Sequence, residues 1–114
     1  MGGATKIVLE EYLGQVISPA SFIDYQEGAV VSKTLVQQPA GTVTLFAFAK
    51  DQGLSEHSAP YDAMVVVLEG GAEIIISGRA NTLTAGEIII MPANQLHAVN
   101  AVDNFKMLLI MIKS

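Results

Sequence analysis

Cysteine is absent from this chain, and charge is scarce. Without cysteine there is no disulfide, no iron–sulfur cluster, no thiolate zinc site and no thiol nucleophile. The six basic residues, Lys6, Lys33, Lys50, Arg79, Lys106 and Lys113, face 11 acidic ones, for a net charge of −5. Scattered cations on an acidic chain form no basic stripe, so neither nucleic acid nor a membrane surface is an expected partner. Long hydrophobic runs are missing as well. The longest, residues 107–112 among them, hold six residues, whereas a membrane-spanning helix needs about 20. No long apolar stretch follows the opening Met-Gly-Gly-Ala-Thr-Lys, so a cytoplasmic protein is expected.

What remains is strongly apolar. Hydrophobic residues make up 51% of the 114, and charged residues only 15%, against roughly 25% in an ordinary soluble domain. A chain with that much surface to bury does not stay disordered. At this length it has room for one domain, whose surface is large for its volume. Too few charges are available to coat that surface, so a second subunit is expected to cover part of it as a homodimer.

Leu9 and Leu13 lie four apart ahead of Gly14, a pattern that predicts a short helix over residues 6–13 ended by glycine. Residues 1–29 read as an arm that brings Phe22, Ile23 and Tyr25 onto a core. From residue 30 onward, segments rich in Val, Ile, Thr and Phe recur between turn residues, and residues 30–114 read as a β-barrel domain. Strands are predicted over 30–37, 42–49, 54–59, 62–69, 72–76, 79–83, 87–91, 96–101 and 105–112. Pro39-Ala40-Gly41 and Ser77-Gly78 are turn signals, and Gly70-Gly71 reads as a tight hairpin with Glu69 as a solvated carboxylate beside it. No segment is long enough for a helical crossover, so the sheets should be antiparallel. The fold class is all-β, a jelly-roll barrel. Segments 64–68, 74–76, 88–91 and 107–112 are apolar on both faces, which requires a cover on the outside as well as a core within.

The two histidines, His57 and His97, carry the chemistry. His97 stands in Gly86-Glu-Ile-Ile-Ile-Met-Pro92-Ala-Asn94-Gln-Leu-His97. Gly86, Pro92 and His97 reproduce the spacing of the second motif of the cupin family, which this chain therefore resembles. Asn94 replaces that motif's second glycine, a mild change because asparagine tolerates a left-handed turn. The first motif survives in outline: His57 and Gly70 keep their places, whereas the second histidine position is Ala59 and the glutamate position is Ala63. The resemblance implies a double-stranded β-helix with a pocket inside the barrel, where cupins use three histidines and a glutamate to hold a divalent metal for oxygenation, isomerisation or decarboxylation. It also implies barrels paired sheet to sheet.

Residue by residue, that ligand set leaves His57 and His97 here. Asp62, near the lost glutamate position, is a candidate third ligand for a divalent ion such as Fe, Mn, Ni or Zn. Tyr61 and Gln95 are candidate pocket residues for a small organic ligand. Losing two bulky ligands to alanine should widen the interior near His57, unless Met64, Met91 or Phe46 fills it. Three readings stay open: a metal-dependent enzyme, a non-catalytic small-molecule-binding module, and a dimer with a vestigial pocket.

Overall fold

The computed structural model describes residues 10–113 and folds most of them into nine strands. These are β1 (Val30–Gln38), β2 (Gly41–Phe48), β3 (Gly53–His57), β4 (Ala63–Glu69), β5 (Gly71–Ile76), β6 (Arg79–Thr84), β7 (Ile88–Met91), β8 (His97–Ala101) and β9 (Phe105–Ile112). One sheet runs β1-β2-β9-β4-β7 and the other β3-β8-β5-β6. Every pairing is antiparallel. The two sheets enclose one core in which Phe48 and Phe105 stack at 4.5 Å between ring centroids, with Val65, Val67, Ile74, Val99 and Met107 fully buried around them.

Local chemistry accounts for the strand ends. Ser77 and Gly78 both take positive φ, 48° and 81°, and Ile76 pairs with Arg79 across them. Two left-handed central residues match the twist of the strands they join, so β5 and β6 close in a two-residue hairpin. Within the described part of the predicted helix, Glu10–Tyr12 forms a 3-10 turn, followed by Gly14 at φ 75°. Its first part, residues 6–9, lies outside the described residues.

Gly70-Gly71 is not the expected hairpin. β4 pairs with β7 and β9, whereas β5 pairs with β6 and β8, so the two glycines turn the chain from one sheet into the other. Gly70 holds φ 79°, and a Cβ there would run into the Asn104 carbonyl oxygen at the entry to β9. A residue without a side chain is needed on both counts.

Side chains on the five-stranded sheet alternate as its apolar segments require. Ala63, Val65 and Val67 face the core, and Met64, Val66 and Leu68 face away. Part of this outer face is covered by residues 19–25: Ile23 is buried against Leu45 and Ala47, and Phe22 and Tyr25 pack beside it. A polar clasp fixes the cover. The Tyr25 hydroxyl donates to the Glu69 carboxylate at 2.6 Å, the buried Lys106 ammonium donates to the Ala20 carbonyl, and it lies 3.6 Å from Glu69. Lys106 also sits 4.8 Å from the Tyr25 ring centroid, a favourable placement for a cation over a π face. Burial, then the hydrogen bond and charge of Glu69, push the Tyr25 phenol well above its ordinary value. Glu69 is therefore a carboxylate that is partnered as well as solvated, since its side chain stays 41% exposed.

Candidate functional site

His57 ends β3, His97 begins β8, and the two are direct cross-strand partners. Strand pairing alone therefore sets their rings 4.4 Å apart in an edge-to-face arrangement at 72°. The loop that precedes His97 is held by its own chemistry. Asn94 takes φ 65°, as expected of the residue in the motif's glycine place, and its amide donates to the Ala59 carbonyl at 2.7 Å. This bond ties the segment just after β3 to the turn ahead of β8, so both histidine segments are braced at the same end of the barrel.

The imidazoles differ in environment. His57 is exposed, and its Nδ1 lies 2.7 Å from the Ser55 carbonyl oxygen. A carbonyl only accepts, so Nδ1 carries the proton, and the neutral ring keeps its lone pair on Nε2. His97 is only 5% exposed, and its Nδ1 is buried with no hydrogen-bond partner. Leaving such an atom unpaired costs about 1–3 kcal/mol. Burial, with added repulsion from His57, holds the His97 imidazolium below the usual histidine range, while the Gln95 backbone acts in the opposite direction. His97 is thus a neutral base at pH 7.

Both rings line a cavity of about 70 Å³. Its other walls are aliphatic (Leu54, Val99, Leu109), small (Ala59, Ala63) or thioether (Met91, Met107, Met111). Methionines share the lining with Ala59 and Ala63. Of the three side chains weighed as fillers, Met91 lines the cavity, whereas Met64 faces the other side of β4 and Phe46 is not part of the lining. Ala63 is the direct partner of Met91 on one side and of Met111 on the other, so two thioethers flank the position where the family places its glutamate.

The remaining candidates lie elsewhere. Asp62 is one residue before the inward-facing Ala63, and neighbouring strand positions face opposite ways. Its Oδ1 accepts a hydrogen bond from the Ala93 amide at 2.9 Å, bracing the turn before His97 from outside the cavity. Tyr61 carries the Lys113 ammonium 5.7 Å from its ring centroid and does not line the cavity. Gln95 is exposed, accepts from the Ser77 hydroxyl at 3.1 Å, and borders a separate open recess with Arg79 and Asn81. Met107, Leu109 and Met111 were not legible as site residues, because only the register of β9 beside β4 selects which of its apolar side chains point inward.

A family model described as the cupin domain matches residues 44–113, well over half of the chain. The chain belongs to the cupin family. A conserved protein of unknown function from Streptococcus pyogenes, SPY1581, is 37% identical, with a TM-score of 0.84 over 88% of each chain. A cupin superfamily protein from Desulfitobacterium hafniense is 30% identical over 83% of this chain and 87% of that one, with a TM-score of 0.81. An RmlC-like cupin from Shewanella frigidimarina shares the fold at 17% identity, with a TM-score of 0.72 over 76% and 78% of the two chains. A search of curated proteins finds no match.

Cupins often hold metals, and the residues here can be tested against such a set. Among the described residues no three His, Asp or Glu side chains converge on one point. The cavity offers two imidazoles and no carboxylate, since Ala59 and Ala63 stand where the family has histidine and glutamate. Hard or borderline divalent ions want carboxylate or a third nitrogen to balance their charge. These residues do not fit the family's divalent centre.

The buried, neutral state of His97 has a consequence for stability. Its folded pKa lies below 6.5, while the unfolded chain returns it to the ordinary value near 6.5. Between those two pH values the unfolded state binds more protons, so stability falls as pH drops below about 6.5 and levels off beneath the lowered value. Denaturant titrations between about pH 5 and 8 should show this slope in the wild type and a reduced slope in His97→Gln. Equal slopes in the two proteins would contradict the assignment.

Proposed function

We propose that this cupin is a homodimeric binding module that holds a very small occupant on the His57 and His97 imidazoles. In this reading it does not run a divalent-metal reaction. The observation that carries the reading is the cavity itself: among the described residues that line it, two paired imidazoles are the only polar side chains. Neutral imidazoles offer lone pairs, so the occupant is an electron-pair acceptor or a hydrogen-bond donor. Size narrows it further. About 70 Å³ is far below the roughly 300–1,000 Å³ of ordinary ligand pockets, which disfavours a sugar or nucleotide. Residues 1–29 serve in this reading as an arm clasped to the barrel of residues 30–114.

The second subunit is proposed from the part of the outer face that the arm leaves uncovered. Ile90, Met64, Ile110 and Val43 form one cross-strand row over four strands, and Ile88 and Ile112 extend it. Ile88, Ile90 and Ile112 are each more than half exposed. An uncharged face of this kind is self-complementary, and a two-fold axis through it buries the same residues twice.

The cavity reading is tested by thermal-shift measurements on untagged wild type and a His57→Ala/His97→Ala variant. The panel holds Fe(II), Mn(II), Ni(II), Zn(II), Cu(I) and small alcohols, amines and carboxylic acids. We expect Cu(I) or at least one of the small organic molecules to raise the wild-type Tm by several degrees and leave the variant unmoved, while the four divalent ions move neither. A panel in which nothing separates the two proteins overturns the reading.

A further inference from the structure

A second opening lies away from the histidines. β6 edges the four-stranded sheet, β7 edges the five-stranded one, and a short turn over residues 85–87 joins them. The ends of these strands remote from that turn border an open recess of about 420 Å³. Ordinary small-molecule pockets hold roughly 300–1,000 Å³. The recess shares no lining residue with the imidazole cavity.

Its walls divide by chemistry. Ile76, Ile89, Ile90 and Pro92 supply an aliphatic side, and Ile76 and Ile89 also pack against the core, which holds that side firm. Ser77, Arg79, Asn81 and Gln95 supply the polar remainder, with Arg79 the only charged residue of the lining. The chain has 11 acidic residues, yet none lines this recess. Glu87, the acid immediately ahead of β7, is turned onto the Thr84 amide and hydroxyl. Lys106–Glu69 is the one ion pair among the described residues, so Arg79 has no carboxylate of its own.

A lone exposed guanidinium is an ordinary surface charge. This one stands on a fixed frame. The Asn81 amide nitrogen donates to the Ile74 and Arg79 carbonyls at 3.2 Å each, pinning the main chain at Arg79 beside the two-residue hairpin. The Ser77 hydroxyl donates to the Gln95 carbonyl oxygen at 3.1 Å, which leaves the Gln95 amide nitrogen free to donate. The open edge of β7 adds a main-chain donor. The Val67 amide donates to the Glu87 carbonyl, and bonded and non-bonded pairs alternate along an antiparallel ladder. Ile89 opposite Val65 therefore bonds to β4, and the Ile90 N–H points off the free edge. Donors on both sides of a recess that holds no acid call for an anion, and the fork of arginine matches a carboxylate. The aliphatic wall calls for a hydrocarbon chain attached to it.

We infer that this recess binds an aliphatic carboxylic acid, with its carboxylate on Arg79 and its chain along Ile76, Ile89 and Pro92. The site does not depend on the imidazole-cavity reading. Ile90, shared with the row proposed for the second subunit, puts it at the rim of that interface.

The test is titration of isotope-labelled full-length protein with isovalerate, followed by amide NMR shifts. Isovaleramide, which lacks the charge, and acetate, which lacks the chain, are the comparators. Saturable shifts centred on Gly78, Arg79, Asn81 and Ile90 are expected. Both comparators should bind wild type at least about tenfold more weakly, and so should isovalerate bind Arg79→Gln. Arg79 is exposed, so that variant should keep its fold, and an unchanged spectrum away from the recess checks it. His57→Ala/His97→Ala should bind isovalerate like wild type. The inference is overturned if isovalerate does not saturate wild type, if isovaleramide binds as well as the acid, or if Arg79→Gln binds unchanged. Shifts centred on His97 that vanish in the histidine variant also overturn it, and they support the imidazole reading instead.

Discussion

Gly70→Ala is expected to destabilise the domain by more than about 3 kcal/mol, a large share of the roughly 5–15 kcal/mol available to a natural domain. Two costs combine at this corner. Alanine at φ 79° carries about 1–2 kcal/mol of backbone strain. The added methyl would also meet the Asn104 carbonyl and lie 2.8 Å from the Phe105 Cα and Cβ. Neither contact can be relieved by rotating a side chain. Relief requires moving the start of β9, which is paired to β2 and β4 along its length. It would also disturb Phe105, which is fully buried and stacked on Phe48. Gly78→Ala is the control, since Gly78 has φ 81° with nothing within 4 Å of the added atom. Urea titrations should show the strain alone at Gly78 and the strain plus collision at Gly70. Equal losses in the two variants would mean that the corner yields easily and that the collision argument is wrong.

That same corner marks where sequence reading stopped. Strand positions were legible because Pro39-Ala40, Ser77-Gly78 and Pro92 punctuate runs of β-branched residues, and these signals act within a few residues. Asn94 was legible for the same reason, since its left-handed turn is a local property of one residue type. Gly70-Gly71 looked like a hairpin because local chemistry cannot say which sheet a strand joins. The competing partner of β4 is β9, almost 40 residues later in the chain. The partners of Glu69 were hidden on similar grounds, with the Tyr25 hydroxyl far upstream and Lys106 far downstream. At the site, His57 and His97 could be placed together through the family motifs. The methionines could not, because parity along β9 fixes an inward face only once its register is known.

A wild-type dimer that falls apart on Ile88→Glu/Ile90→Glu substitution is the other large effect expected. Both isoleucines belong to β7, the edge strand of the five-stranded sheet, and both are more than half exposed. In a monomer, glutamate at these positions stays in water and removes little packing, so the variant should keep its fold. In a two-fold dimer the same substitutions remove four isoleucines from the interface and bring four carboxylates toward it. Burial of each isoleucine is worth about 1.5–3 kcal/mol, so even partial burial of four makes dissociation more than about a thousandfold easier at 1.4 kcal/mol per factor of ten. Light scattering at micromolar concentration should then report twice the 12.0 kDa chain mass for wild type and the chain mass for the variant, with unchanged far-UV circular dichroism. The arm explains why the interface should lie on this half of the face. Ile23, Phe22 and the Tyr25–Glu69–Lys106 clasp already cover the other half, so in the proposed dimer the excess of apolar residues would divide between an intramolecular cover and a second copy. A wild type that sediments as a monomer would remove the second copy from that account, and the exposed isoleucines of β7 would then need a different partner.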